Sequence, residues 1–272
     1  MAYLGPAGTF TEEAAKKYRA DATLVPCSTI PATASAILEG KASHGVFPIE
    51  NSLQGAVTET LDLLIHGEGL KITQELALPI VHCLVVKAGT DVATVETVYS
   101  HPQALAQCRN FLGFKFPKAT IAASLSTAAA VEQAMNSPTP AAAISNRRAA
   151  DLFGASVIQE AIQDDESNVT RFVVLTKEDH QATGRDKTSI CFSFPEDRAG
   201  QLYWAMGQFA QRKINLSKIE SRPMRTGLGQ YYFLVDLEGH REDLIVKEAF
   251  SELEKVVSML KIFGSYPRYV LP

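Results

Sequence analysis

Short apolar runs alternate with stretches whose apolar positions recur every three to four residues, and the alternation holds from the N-terminus to about Leu175. The apolar runs predict strands over 1–4, 24–27, 44–49, 70–78, 80–86, 97–99, 120–122, 141–144, 157–162 and 172–175. The helical spacing predicts helices over 12–18, 30–39, 58–65, 102–112, 127–135 and 147–152. Strands that take turns with helices predict mainly parallel sheets covered by helices. The two strands on either side of Pro79 break the alternation and mark a passage from one sheet to another, so two α/β lobes with a cleft between them are expected.

Residues 177–187 are polar, lack an apolar period and contain Gly184, which reads as a linker. Beyond it the pattern changes. Strands are predicted over 189–194, 215–221, 230–237 and 257–263, helices over 200–212 and 242–255, and a turn over 227–229. That order is βαββαβ, the ferredoxin-like arrangement.

Composition narrows the functional classes. The 272 residues carry 26 Lys+Arg against 30 Asp+Glu, a net charge of −4, which gives no basic field for a nucleic acid. No apolar run reaches about 18 residues, so no membrane span is expected. The first residues show no export signal. Cys27, Cys83, Cys108 and Cys191 lie far apart and read as reduced thiols of a cytoplasmic protein. Histidines 44, 66, 82, 101, 180 and 240 are scattered, none at metal-ligand spacing, so no catalytic metal is expected.

Polar side chains concentrate where predicted strands run into helices. Gly5-Pro6-Ala7-Gly8-Thr9-Phe10-Thr11-Glu12 combines turn residues with the Thr9/Glu12 spacing of a capping box. Its backbone N–H groups suit either a cap or an anion pocket. Glu50, Asn51 and Ser52 follow the apolar strand 44–49, where α/β folds present ligand-binding groups. Glu50 can donate a proton, accept one or anchor by hydrogen bonds. Ser100-His101-Pro102-Gln103, continuing to Gln107 and Cys108, again has capping-box spacing. Ser126 and Thr127 open another helix. The acidic loop 164–166 leads through Ser167, Asn168, Val169 and Thr170 to Arg171 and Phe172. Arg171 offers a bidentate carboxylate clamp, on the opposite side of a regular strand from Thr170. Together these segments describe a site that holds a small anion by hydrogen bonds. Spacing alone does not separate an enzyme from a binding protein.

In their order and completeness the five segments resemble the prephenate dehydratase family, with Pro48-Ile49-Glu50-Asn51-Ser52, Ser100-His101-Pro102-Gln103 and Asn168-Val169-Thr170-Arg171-Phe172 as the most specific parts. The resemblance implies a two-lobed catalytic domain over 1–178, similar to type II periplasmic binding proteins, that converts prephenate to phenylpyruvate without a cofactor. It implies catalytic roles for Thr170, Glu50, Asn51, Ser100 and Gln107. Substrate-binding roles are implied for Thr9, Ser52, Ser126, Thr127, Asn168, Arg171 and Phe172. Residues 187–264 resemble an ACT regulatory domain. Its implied effector site for L-phenylalanine comprises Gly200, Leu202, Asn215, Leu216, Glu220, Ser221, Arg222 and Pro223. The family's Pro-Gly-Ala-Leu turn reads Ala199-Gly200-Gln201-Leu202 here, which puts the effector's identity in question. A homodimer or homotetramer is expected by analogy. No chorismate mutase helix precedes Tyr3, so a monofunctional chain is expected. The competing readings are an arogenate dehydratase, a non-catalytic amino-acid sensor and a solute-binding protein.

Overall fold

The computed structural model describes residues 1–224 and 229–269. The chain forms two compact units, one of 1–60 with 76–172, the other of 61–75 with 173–272.

The chain opens with strand β1 (Ala2–Leu4), helix α1 (Phe10–Tyr18), β2 (Val25–Cys27), α2 (Ile30–Leu38), β3 (Gly45–Asn51), the short β4 (Gly55–Ala56) and α3 (Thr58–His66). Next come β5 (Lys71–Pro79) and β6 (Cys83–Val86) with no helix between them, then a 3-10 turn at Val92–Thr94. There follow β7 (Thr97–Ser100), α4 (Pro102–Gln107), α5 (Arg109–Lys115), β8 (Thr120–Ala123), α6 (Thr127–Met135), β9 (Ala141–Ser145), α7 (Arg147–Phe153), β10 (Ser156–Gln159) and β11 (Val169–Thr176). The remainder comprises β12 (Asp186–Ser193), α8 (Gln201–Gln211), β13 (Leu216–Pro223), β14 (Tyr231–Glu238), α9 (Leu244–Glu254) and β15 (Met259–Pro267).

One sheet has the order β2-β1-β3-β11-β5, with β4 hairpinned onto β3; a second has the order β10-β6-β9-β7-β8. The second sheet explains the unbroken apolar runs of its strands. Leu84 and Val86 of β6 and Ala142 and Ile144 of β9 face one core with Ala104, Cys108 and Leu112. Cys83, Val85, Ala141 and Ala143 face the other, against Ala128, Val131, Ala134, Ala149 and Ala150. A strand covered by helices on both faces needs apolar residues at every position.

Thr9, Thr29, His101, Ser126 and Asn146 cap α-helix starts, each accepting a backbone N–H of the first turn. The predicted helix 102–112 is two helices. Cys108 leaves helical geometry (φ −117°, ψ 25°), and Asp164 holds the break from outside. Its N–H donates to Gln107 O at 2.7 Å, and its carboxylate accepts the Asn110 N–H. The predicted strand 157–162 stops at Gln159, before Ala161 with φ 53°.

The sheets are more mixed than the alternation predicts. β1–β2, β1–β3, β7–β8 and β7–β9 are parallel, but β6 runs antiparallel to both β9 and β10. The direct β5–β6 passage carries the chain from the first sheet to the second with no helix between them.

The second unit contains the predicted βαββαβ module. Its sheet order, β13-β14-β12-β15, is antiparallel throughout and is that of a ferredoxin-like fold. Ile190, Phe192, Val235 and Leu237 pack under Ala205, Phe209, Val246, Phe250 and Leu253 of α8 and α9. The linker stays irregular as far as Arg185, where the Asp186 carboxylate accepts the N–H groups of Thr183 and Gly184. Most of the turn expected over 227–229 lies outside the described residues.

Candidate functional site

A cavity of about 560 Å³ opens in the first unit, within the usual range for small-molecule sites. Three helix starts line it: Thr9, Phe10 and Thr11 of α1, His101 and Gln103 of α4, and Ser126 and Thr127 of α6. Their exposed N–H groups and helix dipoles favour an anion. No lysine or arginine lines the cavity among the described residues. Burial lowers the pKa of both its histidines, His82 and His101, which favours the neutral rings, a hydrogen bond to Gln107 opposing this at His82.

The loop into α1 is fixed by an acid that the capping-box reading placed differently. Thr9 Oγ1 accepts the Glu12 N–H as expected, at 3.4 Å, but the Glu12 carboxylate takes the Gly8 N–H rather than that of Thr9. Glu12 is buried and also pairs with Arg148 Nη2 at 3.0 Å and Lys16 Nζ at 3.3 Å. Gly8 adopts φ +88°, and a Cβ there would lie 3.2 Å from both Ala128 Cβ and Ala149 Cα. Burial works to raise the Glu12 pKa, but the Gly8 N–H, Arg148 and Lys16 outweigh it and hold the carboxyl below the ordinary value. A depressed pKa adds stability above the unfolded value, about 4.3, that is lost as pH falls through the folded one. Glu12→Gln should therefore lower the melting temperature at pH 7, with a gap from wild type that closes as urea titrations move below about pH 4.

Asn51 and Thr170 form the centre of the cavity wall. β3 runs two residues further than its apolar pattern predicts, so Asn51 is its last residue and turns the chain towards β4. Its Oδ1 accepts the N–H groups of Leu53 and Gln54, both at 3.1 Å. Its Nδ2 donates to Asn168 Oδ1 at 2.7 Å and to Thr170 Oγ1 at 2.9 Å. Thr170 Oγ1 is thus an acceptor towards Asn51, which leaves its own proton for whatever occupies the cavity.

The expected site residues divide into two groups. Thr9, Asn51, Gln107, Ser126 and Thr127 line the cavity, as do Thr170 and Phe172. Glu50, Ser52, Ser100, Asn168 and Arg171 do not. Ser100 is fully buried and donates to Ile144 O at 2.7 Å, so the cap of α4 falls to His101 Nδ1, which accepts the Gln103 N–H at 3.3 Å. Strand alternation turns Thr170 and Phe172 inward and Arg171 outward. Arg171 Nη1 meets Glu50 Oε2 at 3.6 Å, an ion pair between β3 and β11. Ser52 Oγ accepts the Val169 N–H and donates to Ser167 O, tying the same two strands. Asn168 is buried behind Asn51.

His82, Phe10 and Leu125 also line the cavity and were missed. His82 sits in an apolar run and Leu125 in a loop, and neither has a cap or motif to mark it.

Of the effector-site residues, Gly200 and Leu202 line a second cavity, of about 200 Å³, at the start of α8. Gly200 has φ +86°, so glycine is required there by the backbone. Gln201 folds back, its Oε1 accepting the Arg198 N–H at 3.1 Å. Asn215, Leu216, Glu220, Ser221, Arg222 and Pro223 lie outside that cavity. Asn215 Nδ2 donates to Glu238, Glu220 pairs with Lys218, and Arg222 pairs with Asp62 at 2.7 Å.

A family model described as prephenate dehydratase matches residues 1–180. The chain is 41 % identical to the bifunctional chorismate mutase/prephenate dehydratase of Aquifex aeolicus (strain VF5), over 100 % of this chain and 74 % of the relative. It is 35 % identical to the prephenate dehydratase of Bacillus subtilis (strain 168), over 100 % and 99 %. The crystal structure of prephenate dehydratase in complex with L-Phe from Arthrobacter aurescens superposes with a TM-score of 0.90 at 36 % identity, covering 100 % of this chain and 92 % of that one.

Proposed function

Since this chain belongs to the prephenate dehydratase family, we propose that its first cavity carries out the family's reaction, the conversion of prephenate to phenylpyruvate in phenylalanine biosynthesis. The observation that carries the reading is the Thr170 hydroxyl, held by Asn51 so that its proton is free for the ligand.

The substrate is a dianion. One carboxylate leaves as CO₂, the electrons of its carbon–carbon bond enter the ring, and the ring hydroxyl departs with its electron pair. That hydroxide takes one proton, supplied by solvent, and leaves as water. Aromatisation drives the step, so the protein's tasks are orientation and stabilisation of the departing oxygen. Thr170 donates a hydrogen bond to it. Full transfer from an alcohol is unfavourable at neutral pH. The departing carboxylate must not be held by a strong cation, and a cavity lined by neutral donors meets that demand. The helix starts at Thr9 and Ser126 receive the side-chain carboxylate, with Thr127 and Gln107 as further donors and Phe172 against the ring. Ser52, Asn168, Ser100 and the Glu50–Arg171 pair support this wall from outside the cavity. The purified chain should form phenylpyruvate from prephenate, by its ultraviolet absorbance in alkali. Turnover of arogenate in preference to prephenate would favour the arogenate dehydratase reading, and no turnover of either would favour a sensor.

Residues 1–178 are read as the catalytic part and 187–264 as an ACT regulatory module. The ferredoxin-like topology, the Ile219-Glu220-Ser221-Arg222-Pro223 segment and the L-Phe complex of the Arthrobacter aurescens relative support the second reading. L-phenylalanine is its effector and a homodimer or homotetramer its working form. Gln201 lines the cavity beside Gly200 and Leu202, with its Oε1 turned to the Arg198 N–H. Millimolar L-phenylalanine should raise the melting temperature by several degrees, the effect of a ligand near 100 times its Kd, about 2.7 kcal/mol. Unchanged melting and unchanged activity would remove the effector assignment. Four free cysteines support a cytoplasmic location, and no helix among the described residues is long and apolar enough to cross a membrane.

A further inference from the structure

We propose that His82 is a positioning residue that fixes the Gln107 amide with its NH₂ group turned into the cavity, where it donates to an oxygen of the anionic substrate. The identity of that substrate rests on the dehydratase reading; the pair itself rests on geometry.

His82 is 2 % exposed, and its Nε2 lies 2.8 Å from Gln107 Oε1. A carbonyl oxygen can only accept, so Nε2 carries the proton and the ring is the Nε2–H tautomer. Gln107 Nε2 and His82 Nδ1 are both buried with no hydrogen-bond partner among the described residues, and both residues line the cavity. An unpaired buried N–H is costly, and the fold sustains this one by gripping both backbones with a single loop, 162–164. His82 N–H donates to Gln163 Oε1 at 3.0 Å, Ile162 N–H to His82 O at 3.1 Å and Asp164 N–H to Gln107 O at 2.7 Å. The Phe10 ring closes on the imidazole edge-on, 5.7 Å between centroids. Without the ring donor, the amide can turn over and present Oε1 to an anion. Burial lowers the His82 pKa against the opposing hydrogen bond to Gln107, which favours the neutral ring that the arrangement uses.

A spectrum and a mutant cycle on the full chain test this. Long-range ¹H–¹⁵N correlation, with His82 assigned by its loss in His82→Gln, should show a neutral ring protonated on Nε2. A proton on Nδ1 would overturn the proposal, because Nε2 would then be an acceptor facing Oε1. This readout needs no substrate, so it separates failure of the pair from failure of the dehydratase reading. In kinetics, His82→Phe should lower kcat/KM for prephenate about 10–100-fold, the loss of one hydrogen bond to a charged group. His82→Gln, which can place a donor where Nε2 was, should stay within about threefold of wild type. In a Gln107→Leu background, His82→Phe should add less than about twofold. Equal losses in both backgrounds would show that His82 acts independently of Gln107 and end the proposal. If His82→Phe does not fold, a large loss in a folded His82→Gln would do the same.

Discussion

Thr170→Ala should lower the turnover number for phenylpyruvate formation by about 10²–10³-fold while the protein stays folded, the usual cost of deleting one preorganised donor from a site where charge develops. The structure gives reasons for both halves of that result. The hydroxyl is aimed by Asn51, and Thr170 is 9 % exposed. Its loss leaves Asn51 Nδ2 still bonded to Asn168 Oδ1, so the penalty in stability is held to about 1 kcal/mol. KM should change little, since the interaction matters most as the carbon–oxygen bond breaks. Thr170→Ser, which keeps the hydroxyl, should recover most of the turnover. Near-normal turnover in a folded Thr170→Ala protein would end the assignment of Thr170 as the donor.

Asn51→Asp should be nearly as damaging, although it changes one NH₂ group into an oxygen. The wild-type amide donates to two acceptors, Asn168 Oδ1 and Thr170 Oγ1. A carboxylate there repels the first and draws the Thr170 proton towards itself, away from the cavity. Turnover should therefore fall about 10²-fold or more by the same reasoning that applies to Thr170. Stability should fall by about 1–3 kcal/mol in urea unfolding, because Asn168 Oδ1 loses its donor in a buried setting. The turn at Leu53 and Gln54 should survive, since the introduced carboxylate still offers an acceptor to both N–H groups. Combining Asn51→Asp with Thr170→Ala should cost little more than either alone, because each removes the same aimed proton. Additive losses would show that the two residues act separately.

Much of this site was legible in the sequence because helix starts announce themselves. Thr9, Ser126 and Thr127 sit at junctions whose cap spacing is set by local backbone chemistry, and the structure places all three in one cavity. The ferredoxin-like module was legible for the same reason: its strands and helices have clear periods and one core face. What escaped depended on partners distant in sequence. Ser100 has the right spacing for a cap, but a neighbouring strand offers it Ile144 O and takes the hydroxyl. The ion pair of Arg171 with Glu50 joins residues 121 positions apart, which no local spacing announces. His82 looks like a core histidine in an apolar strand, and only the fold brings Gln107 within reach. The break at Cys108 likewise comes from Asp164, more than fifty residues along the chain.

The close seat of Gly8 against Ala128 and Ala149 has a bearing on how this protein can be altered. A methyl group at Gly8 would press on both alanines, so the frame that carries the starts of α1, α6 and α7 has little slack there. Attempts to broaden the range of compounds accepted are therefore best directed at Leu125, which lines the cavity and is exposed, and not at this corner. There, added bulk would wedge the helices apart before it reshaped the hollow between them.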